Sequence, residues 1–469
     1  MNISQEERIF IDILDSYQDE MAKNLSNFLR LPSVEGQKEK DAPFGKDIAK
    51  ALTYILELSQ AWGFQCTNLD GYVGLVDYNF SADLPQEQLG ILTHLDVVPA
   101  GKGWTHPPFA GDLAEGIIYG RGAVDDKGPL MAALYSMRAI KESGLPLRRS
   151  IRHIMGTNEE SGFACMEYFL KNCRPPDFGF TPDGSFPLIY GEKGIIHCDL
   201  QTDMENLVAD SCLLSLQAGN APNMVPDEAE AALKGEDIDF WRDKLQNYPH
   251  GEAITLQEEN SLLIIRAQGQ SAHGSTPEYG LNALAVLLQF LLWAKKDDPL
   301  MAVLREAYEL FCQYHKGCGC NLACADEHGS LTMVPTIMRT DGKKIKICLD
   351  IRFPISSSCD KIKEKLLQGL QGHCWEIVNF QGKEPLYLST QHALIKSLLK
   401  VYQDMTGDDS PPIAIGGGTY ARTMKNFIAF GPGFPRKDYP AHQGDESISV
   451  EDLLLLSKIY AVAAYRLAR

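Results

Sequence analysis

The eight residues LGILTHLD at 89–96 constrain this chain more than any other stretch. Leu89, Ile91 and Leu92 form a short apolar run, the pattern of a strand covered on both faces. Such a strand lies inside a sheet, and its carboxyl end carries His94 and Asp96, two residues apart and projecting to the same side. A metal-binding imidazole needs its second ring nitrogen held by an acceptor, and a nearby carboxylate does this while raising the basicity of the ligand. Alone, His-x-Asp at a strand end is more often a polar pair that closes a strand. The later carboxylates change that balance.

At 469 residues the chain exceeds one simple core and is expected to form two or more domains. Acidic residues outnumber basic ones, 62 to 44, for a formal charge of −18, which opposes binding to nucleic acid or anionic membrane; neither partner is expected. The first twenty residues are acidic throughout and lack the apolar core of a secretory signal, so the mature chain is expected to start here. The longest apolar stretch, 281–294, is too short to span a bilayer and contains Asn282 and Gln289, which predicts a buried helix and no membrane segment. Cys66, Cys165, Cys173, Cys198, Cys212, Cys348, Cys359 and Cys374 are scattered singly, as reduced small hydrophobes are. The expected location is the cytoplasm.

Along the chain, Ile9, Ile13, Tyr17, Met21, Leu25 and Phe28 recur at helical spacing and predict one helix over 5–29, stopped by Pro32. A helix over 44–62, short strands over 65–78 and the 89–96 strand follow. A Gly- and Pro-rich loop then leads to Asp125 and Asp126, just before a helix opened by Gly128 and Pro129. A strand over 150–155 ends in the loop GTNEESG at 156–162. This alternation predicts an α/β catalytic domain, a mixed sheet flanked by helices, with its site at the carboxyl ends of strands. From about 192 the strands at 194–200, 212–217, 261–267, 332–338 and 345–353 predict an α+β domain inserted into the first. The expected division is 1–191 with 386–469, interrupted by 192–385. Ser449 and Asp452 are read as a capping box opening the last helix.

His94, Asp96, Asp125, Glu159, Glu160, Asp183 and His442 all fall in loops or at strand ends. Two-metal hydrolases need an anionic bridge between ions about 3.5–4 Å apart, nitrogen or oxygen ligands on each, and an open position for water. One histidine and one carboxylate per ion, with a shared aspartate, meets that need. Adjacent acids such as Glu159 and Glu160 are commonly a solvated surface pair. On an extended chain, however, neighbours point opposite ways, so one can face a metal and the other the substrate.

The motifs THLDVVP (93–99), GRGAVDDKGP (120–129), TNEESG (157–162), TPDG (181–184), NMVPD (223–227), His273-Gly274 and HQGDE (442–446) closely resemble the zinc-dependent exopeptidase and deacylase family. That family includes carboxypeptidase G, acetylornithine deacetylase and succinyl-diaminopimelate desuccinylase, and the chain is most similar to its bacterial PepV-type dipeptidases. The resemblance runs from RLPSV at 30–34 nearly to the C-terminus. It implies two divalent ions, zinc first, with manganese or cobalt equally served by nitrogen and oxygen donors. His94 and Asp183 are then expected to hold one ion, Glu160 and His442 the other, with Asp125 bridging them. Glu159 is the expected general base, Asp96 orients His94, and the Asp125–Asp126 peptide is expected to be cis. Two cations acidify a bound water, and Glu159 can take its proton and pass it to the leaving amine.

In this family the smaller domain often makes dimers, and its histidine reaches the partner's site. The inserted domain here is long, resembling the dipeptidase variant whose enlarged lid replaces the partner, so a working monomer is expected. The resemblance assigns His273 and Asn223 to a tetrahedral oxyanion and Arg352, in LDIRFP, to the substrate carboxylate. A surface arginine on a strand edge is the plainer reading of Arg352. Gly416 and Gly417, in a glycine run, can bring backbone N–H groups close to the same carboxylate or can form a turn. Outside the resemblance, His315, Cys318, Cys320, Cys324 and His328 could hold a structural zinc or form a reduced loop, since paired C-x-x-C knuckles are missing.

The expected activity is a metal-dependent dipeptidase acting on dipeptides with free amino and carboxyl ends. The alternatives are an N-acyl-amino-acid deacylase or carboxypeptidase on the same scaffold, and a non-catalytic metal- or peptide-binding protein, against which the intact Glu159 argues.

Overall fold

The computed structural model describes residues 2–79, 87–204, 211–249, 251–295, 298–341, 343–437 and 439–469. The chain divides into two compact units, one of Met1–Tyr190, Tyr387–Ala414 and Thr419–Arg469, the other of Gly191–Leu386 and Ile415–Gly418.

In the first unit the main sheet runs Gln65–Leu69, Val73–Tyr78, Ser150–Gly156, Gln88–His94, Phe178–Thr181, Phe427–Ala429 and Ile189–Glu192. Gln88–His94 is buried at every position, as its unbroken apolar run requires, and is parallel to both neighbours. Its register sets His94 opposite Gly156, so the loop after each strand leaves from the same end of the sheet. The outer Val73–Tyr78 strand is antiparallel to Ser150–Gly156, which makes the sheet mixed. Helices Lys127–Ser143 and Val450–Ala468 pack on one another and against Gln88–His94, and both are buried along most of their length.

The expected single helix over 5–29 is two helices, Gln5–Ser16 and Gln18–Leu29, broken at Tyr17 with φ −97° and ψ 0°. Side-chain interactions hold the break: the Tyr17 ring lies edge-on to Tyr135 at 5.7 Å and beneath the Arg138 guanidinium at 4.1 Å, and its hydroxyl bonds Glu142. The break resets the helical phase, so Phe10, Ile11 and Leu14 are buried while Ile9 is exposed. Ser449 caps the last helix by accepting from Asp452 N at 3.0 Å, but the box is one-sided. The Asp452 carboxylate receives Lys437 at 2.5 Å and Tyr439 at 3.2 Å instead.

The second unit is built on an antiparallel sheet in the order Ile254–Glu259, Leu262–Gln268, Glu228–Lys234, Leu213–Ala218, Thr332–Thr340, Lys344–Phe353, Gly194–Asp203 and Glu376–Lys383. Alternate strand residues such as Ile196, Ile265 and Ile347 share one core with Trp241, Phe290, Leu304 and Leu366 from the helices. The apolar stretch at 281–294 forms the buried helix Ala283–Ala294, capped by Asn282, which accepts from Leu284 N and Ala285 N. Among the described residues no helix is long and apolar enough to cross a membrane.

Gly90 has no room for a side chain. A Cβ there would lie 2.5 Å from Cζ of the buried Phe427 and 2.9 Å from Pro176. Gly90→Ala is expected to cost about 1–3 kcal/mol, read as a lower urea midpoint with unchanged m-value.

Candidate metal centre

His94 ends the buried strand, and its ring is fixed from behind. Nδ1 donates to the main-chain carbonyl of Asp96 at 3.0 Å, which leaves Nε2 as the nitrogen that can ligate. The Asp96 carboxylate lies 3.6 Å from Nδ1 and serves another partner. Its Oδ1 accepts from Glu159 N and its Oδ2 from Glu160 N, each at 3.1 Å. Asp96 therefore orients His94 through its backbone, and its side chain pins the loop that carries both glutamates. The peptide between Asp125 and Asp126 is cis, and His442 sits at φ 63°.

The two imidazoles converge on a single carboxylate. His94 Nε2 is 2.9 Å from Asp125 Oδ1, and His442 Nε2 is 2.9 Å from Asp125 Oδ2 and 3.1 Å from Glu160 Oε1. Single donor atoms of His94, Asp125 and Glu160 all fall within 4.8 Å of one another. Asp183 lines the same cavity as Asp125, and its charge acts on Glu159 and Asp126.

This packing of acids has an electrostatic cost. Burial, then the charges of Asp183, Glu160 and Asp125, push the Glu159 carboxyl well above the usual range, against the pull of His94. Burial likewise raises Asp126, whose Oδ1 has no hydrogen-bond partner among the described residues while Oδ2 accepts from His94 N at 3.1 Å. At Asp125 burial opposes ionisation, but His442 and His94 outweigh it and hold the carboxyl far below its ordinary value. His442 is pushed up to about 11, against burial, by Asp125 and Glu160. Two imidazoles thus stand in for positive charge that the surrounding carboxylates demand. The donor set fits divalent cations: nitrogen and oxygen ligands, with one carboxylate offering a separate oxygen to each histidine.

Sequence reasoning assigned no role to the residues that brace this arrangement. Glu446 is fully buried and accepts from Gly122 N, Val124 N and Asp125 N at 3.0–3.1 Å and from Arg121 at 2.5 Å, so it holds the turn that delivers Asp125. Asp445 accepts from Thr105 N, Thr105 Oγ1 and His106 N, joining the His442 loop to the loop after Asp96. Both acids lie in HQGDE, but acceptors for backbone N–H groups have no spacing of their own to read.

In the second unit, Asn223, His273, Arg352 and Gly416 form one connected cluster. Asn223 O accepts from Gly274 N at 2.8 Å. His273 Nδ1 accepts from Ser275 N at 3.2 Å, which in the neutral ring places the proton on Nε2. Arg352 is 4% exposed on an inner strand, not a strand edge, and is bonded to Asp350. A Cβ on Gly416 would lie 2.7 Å from Ser275 Cβ, so glycine is required there by close packing; neither Gly416 nor Gly417 has positive φ. The cysteine-rich stretch does not converge on a point. Cys318 is exposed, while Cys320 is buried against Leu310 O, its thiol pushed up to about 12 by burial. Among the described residues only His94, Asp125 and Glu160 bring three such donor atoms together. All twelve cysteines are free.

Asp96→Asn swaps one acceptor for a donor facing a backbone N–H of the Glu159–Glu160 loop. Metal affinity and kcat/KM are each expected to fall about 10–100-fold, measured by metal titration and by turnover on folded protein.

A sequence model of Peptidase family M20/M25/M40 matches residues 90–466. The chain is 37% identical over 463 residues to YtjP of Bacillus subtilis (strain 168), covering 96% of this chain and 98% of that one. It is 31% identical over 473 residues to the Beta-Ala-Xaa dipeptidase of Lactobacillus delbrueckii subsp. lactis, covering 98% of each. Among solved structures, human carnosine dipeptidase 1 superposes with a TM-score of 0.60 at 14% identity over 100% of both chains. The dipeptidase Dug1p from Saccharomyces cerevisiae gives 0.59 at 15% over 99% of both, and at these identities the likeness speaks for the fold alone. Fold, motifs and full-length relatives agree, and the chain belongs to Peptidase family M20/M25/M40.

Proposed function

We propose that this metallopeptidase is a dipeptidase that hydrolyses the amide of dipeptides with free amino and carboxyl ends. The observation that carries the proposal is the Asp125 carboxylate, each oxygen 2.9 Å from a different imidazole, which is how a residue shared by two cations is presented. A full-length relative named a Beta-Ala-Xaa dipeptidase supports the substrate class.

His94 and Asp183 would hold one ion, Glu160 and His442 the other, with Asp125 between them. The ions supply an acidified water and polarise the scissile carbonyl when bound. Glu159 would take a proton from the attacking water and return it to the leaving amine, and the loop it stands on is fixed by the Asp96 carboxylate. His273 Nε2–H and the Asn223 amide are assigned to the oxyanion, and Arg352 with the Gly416–Gly417 backbone to the substrate carboxylate. We take the ions to be zinc, with manganese and cobalt served by the same donors. We also take the enzyme to work as a monomer in the cytoplasm.

Glu159→Gln is expected to retain both ions by metal analysis and to lose at least about a thousandfold in kcat. Unchanged turnover would remove Glu159 as the base. Chelation should abolish activity, and readdition of each metal to a dipeptide panel identifies the one that restores it. On the wild-type enzyme, a free dipeptide should exceed its N-acetyl form in kcat/KM. The reverse preference would make the enzyme a deacylase or carboxypeptidase.

A further inference from the structure

Arg352 already holds a carboxylate. Its Nε donates to Asp350 Oδ1 at 2.7 Å and its Nη2 to Oδ2 at 2.8 Å, with Asp350 two residues earlier on the same strand face and fully buried. A guanidinium has two edges able to grip a carboxylate through paired N–H groups, Nε with Nη2 and Nη1 with Nη2. Asp350 occupies the first. Among the described residues Nη1 reaches only Gly416 O, at 3.4 Å, so the end-on edge is the one left for a ligand.

The same carboxylate abuts the backbone after His273. A Cβ built on Gly274 would overlap Asp350 Oδ2 and lie 3.0 Å from its Cγ, so only glycine fits over Asp350. That glycine is tied on other sides as well. Its N–H donates to Asn223 O at 2.8 Å, and its carbonyl accepts from Thr332 Oγ1 at 2.9 Å, with Thr332 directly opposite Arg352 in the strand register. One buried side chain therefore sets the plane of the guanidinium and supports the turn that carries the imidazole.

We propose that Asp350 is a positioning residue for substrate binding: it turns the Arg352 guanidinium so that the end-on Nη1–Nη2 edge meets the terminal carboxylate of the substrate, at a fixed offset from His273. This rests on the reading of Arg352 as the carboxylate clamp. Positioning and simple charge predict opposite signs. Asp350 nearly neutralises Arg352, so if charge alone governed binding, removing it would strengthen attraction for an anion. If orientation governs, an asparagine turns a donor toward a guanidinium donor, and the clamp loosens.

The test compares alanylalanine with alanylalaninamide, which lacks the terminal charge, on metal-loaded enzyme. Asp350→Asn is expected to raise KM for alanylalanine about tenfold or more. The loss in kcat/KM for the amide should be much smaller, so that the preference for acid over amide drops about tenfold or more. Arg352→Met should erase the preference for acid over amide, and adding Asp350→Asn to it should change that preference no further. A lower KM for alanylalanine in Asp350→Asn, or equal losses on both substrates, overturns the proposal. If Arg352→Met keeps the preference for the acid, the reading of Arg352 itself falls, whatever Asp350→Asn does. Should Asp350→Asn not fold, Asp350→Glu keeps the charge but displaces the fork and carries the same expectation and the same overturning results. Arg352→Met/Asp350→Asn, which leaves no uncompensated buried charge, completes the cycle.

Discussion

The first unit depends on one electrostatic problem, which is to hold Asp125, Asp126, Glu159, Glu160 and Asp183 close together and largely out of water. Like charges in a low dielectric repel by several kcal/mol at contact distances. The structure answers with fixed dipoles before it uses any cation. Asp96 is saturated by the backbone of the Glu159–Glu160 loop, and Glu446 by the backbone that leads into Asp125. These bonds fix where the acids stand while leaving their outward oxygens to His94 and His442. Bracing of this kind, by groups outside the acids themselves, is what holds a constellation of side chains in one geometry.

Much of this was legible in sequence, for physical reasons that differ from residue to residue. A parallel strand buried on both faces must be apolar without interruption, so 89–92 announced itself and His94 had to lie at its end. The helix over 5–29 failed because periodicity cannot see a break made by distant side chains. Tyr17 is held by Tyr135, Arg138 and Glu142, more than a hundred residues away. Asp96 was attached to His94 by spacing, yet its carboxylate is committed to backbone donors that no pattern of side chains reveals. Asp445 and Glu446 were hidden in the same way.

The second unit shows the converse. Arg352 lies within an alternating strand whose sequence alone allows a solvent-facing arginine, and only the strand order buries it. The neighbour that matters, Asp350, was in plain view two residues away, but a two-residue spacing on a strand says that side chains share a face and not that they bond. The dense cysteines of 318–324 looked like ligands because sequence proximity resembles spatial convergence. Burial of Cys320 and exposure of Cys318 separate them.

A guanidinium that is already paired binds an anion by a different logic from a free one. Its net charge is largely cancelled, so long-range attraction is weak and an arbitrary acidic ligand gains little. What remains is directional: an end-on edge whose plane is set by two short bonds from a buried carboxylate. On the proposed reading of Arg352, such an edge rewards a carboxylate that meets it in its own plane. A longer peptide presents an amide at that place, which adds a donor where a donor already stands and leaves buried N–H groups unpaired. On that reading length discrimination would follow from hydrogen-bond complementarity, because the acid of a short substrate is the group that satisfies both N–H bonds at once.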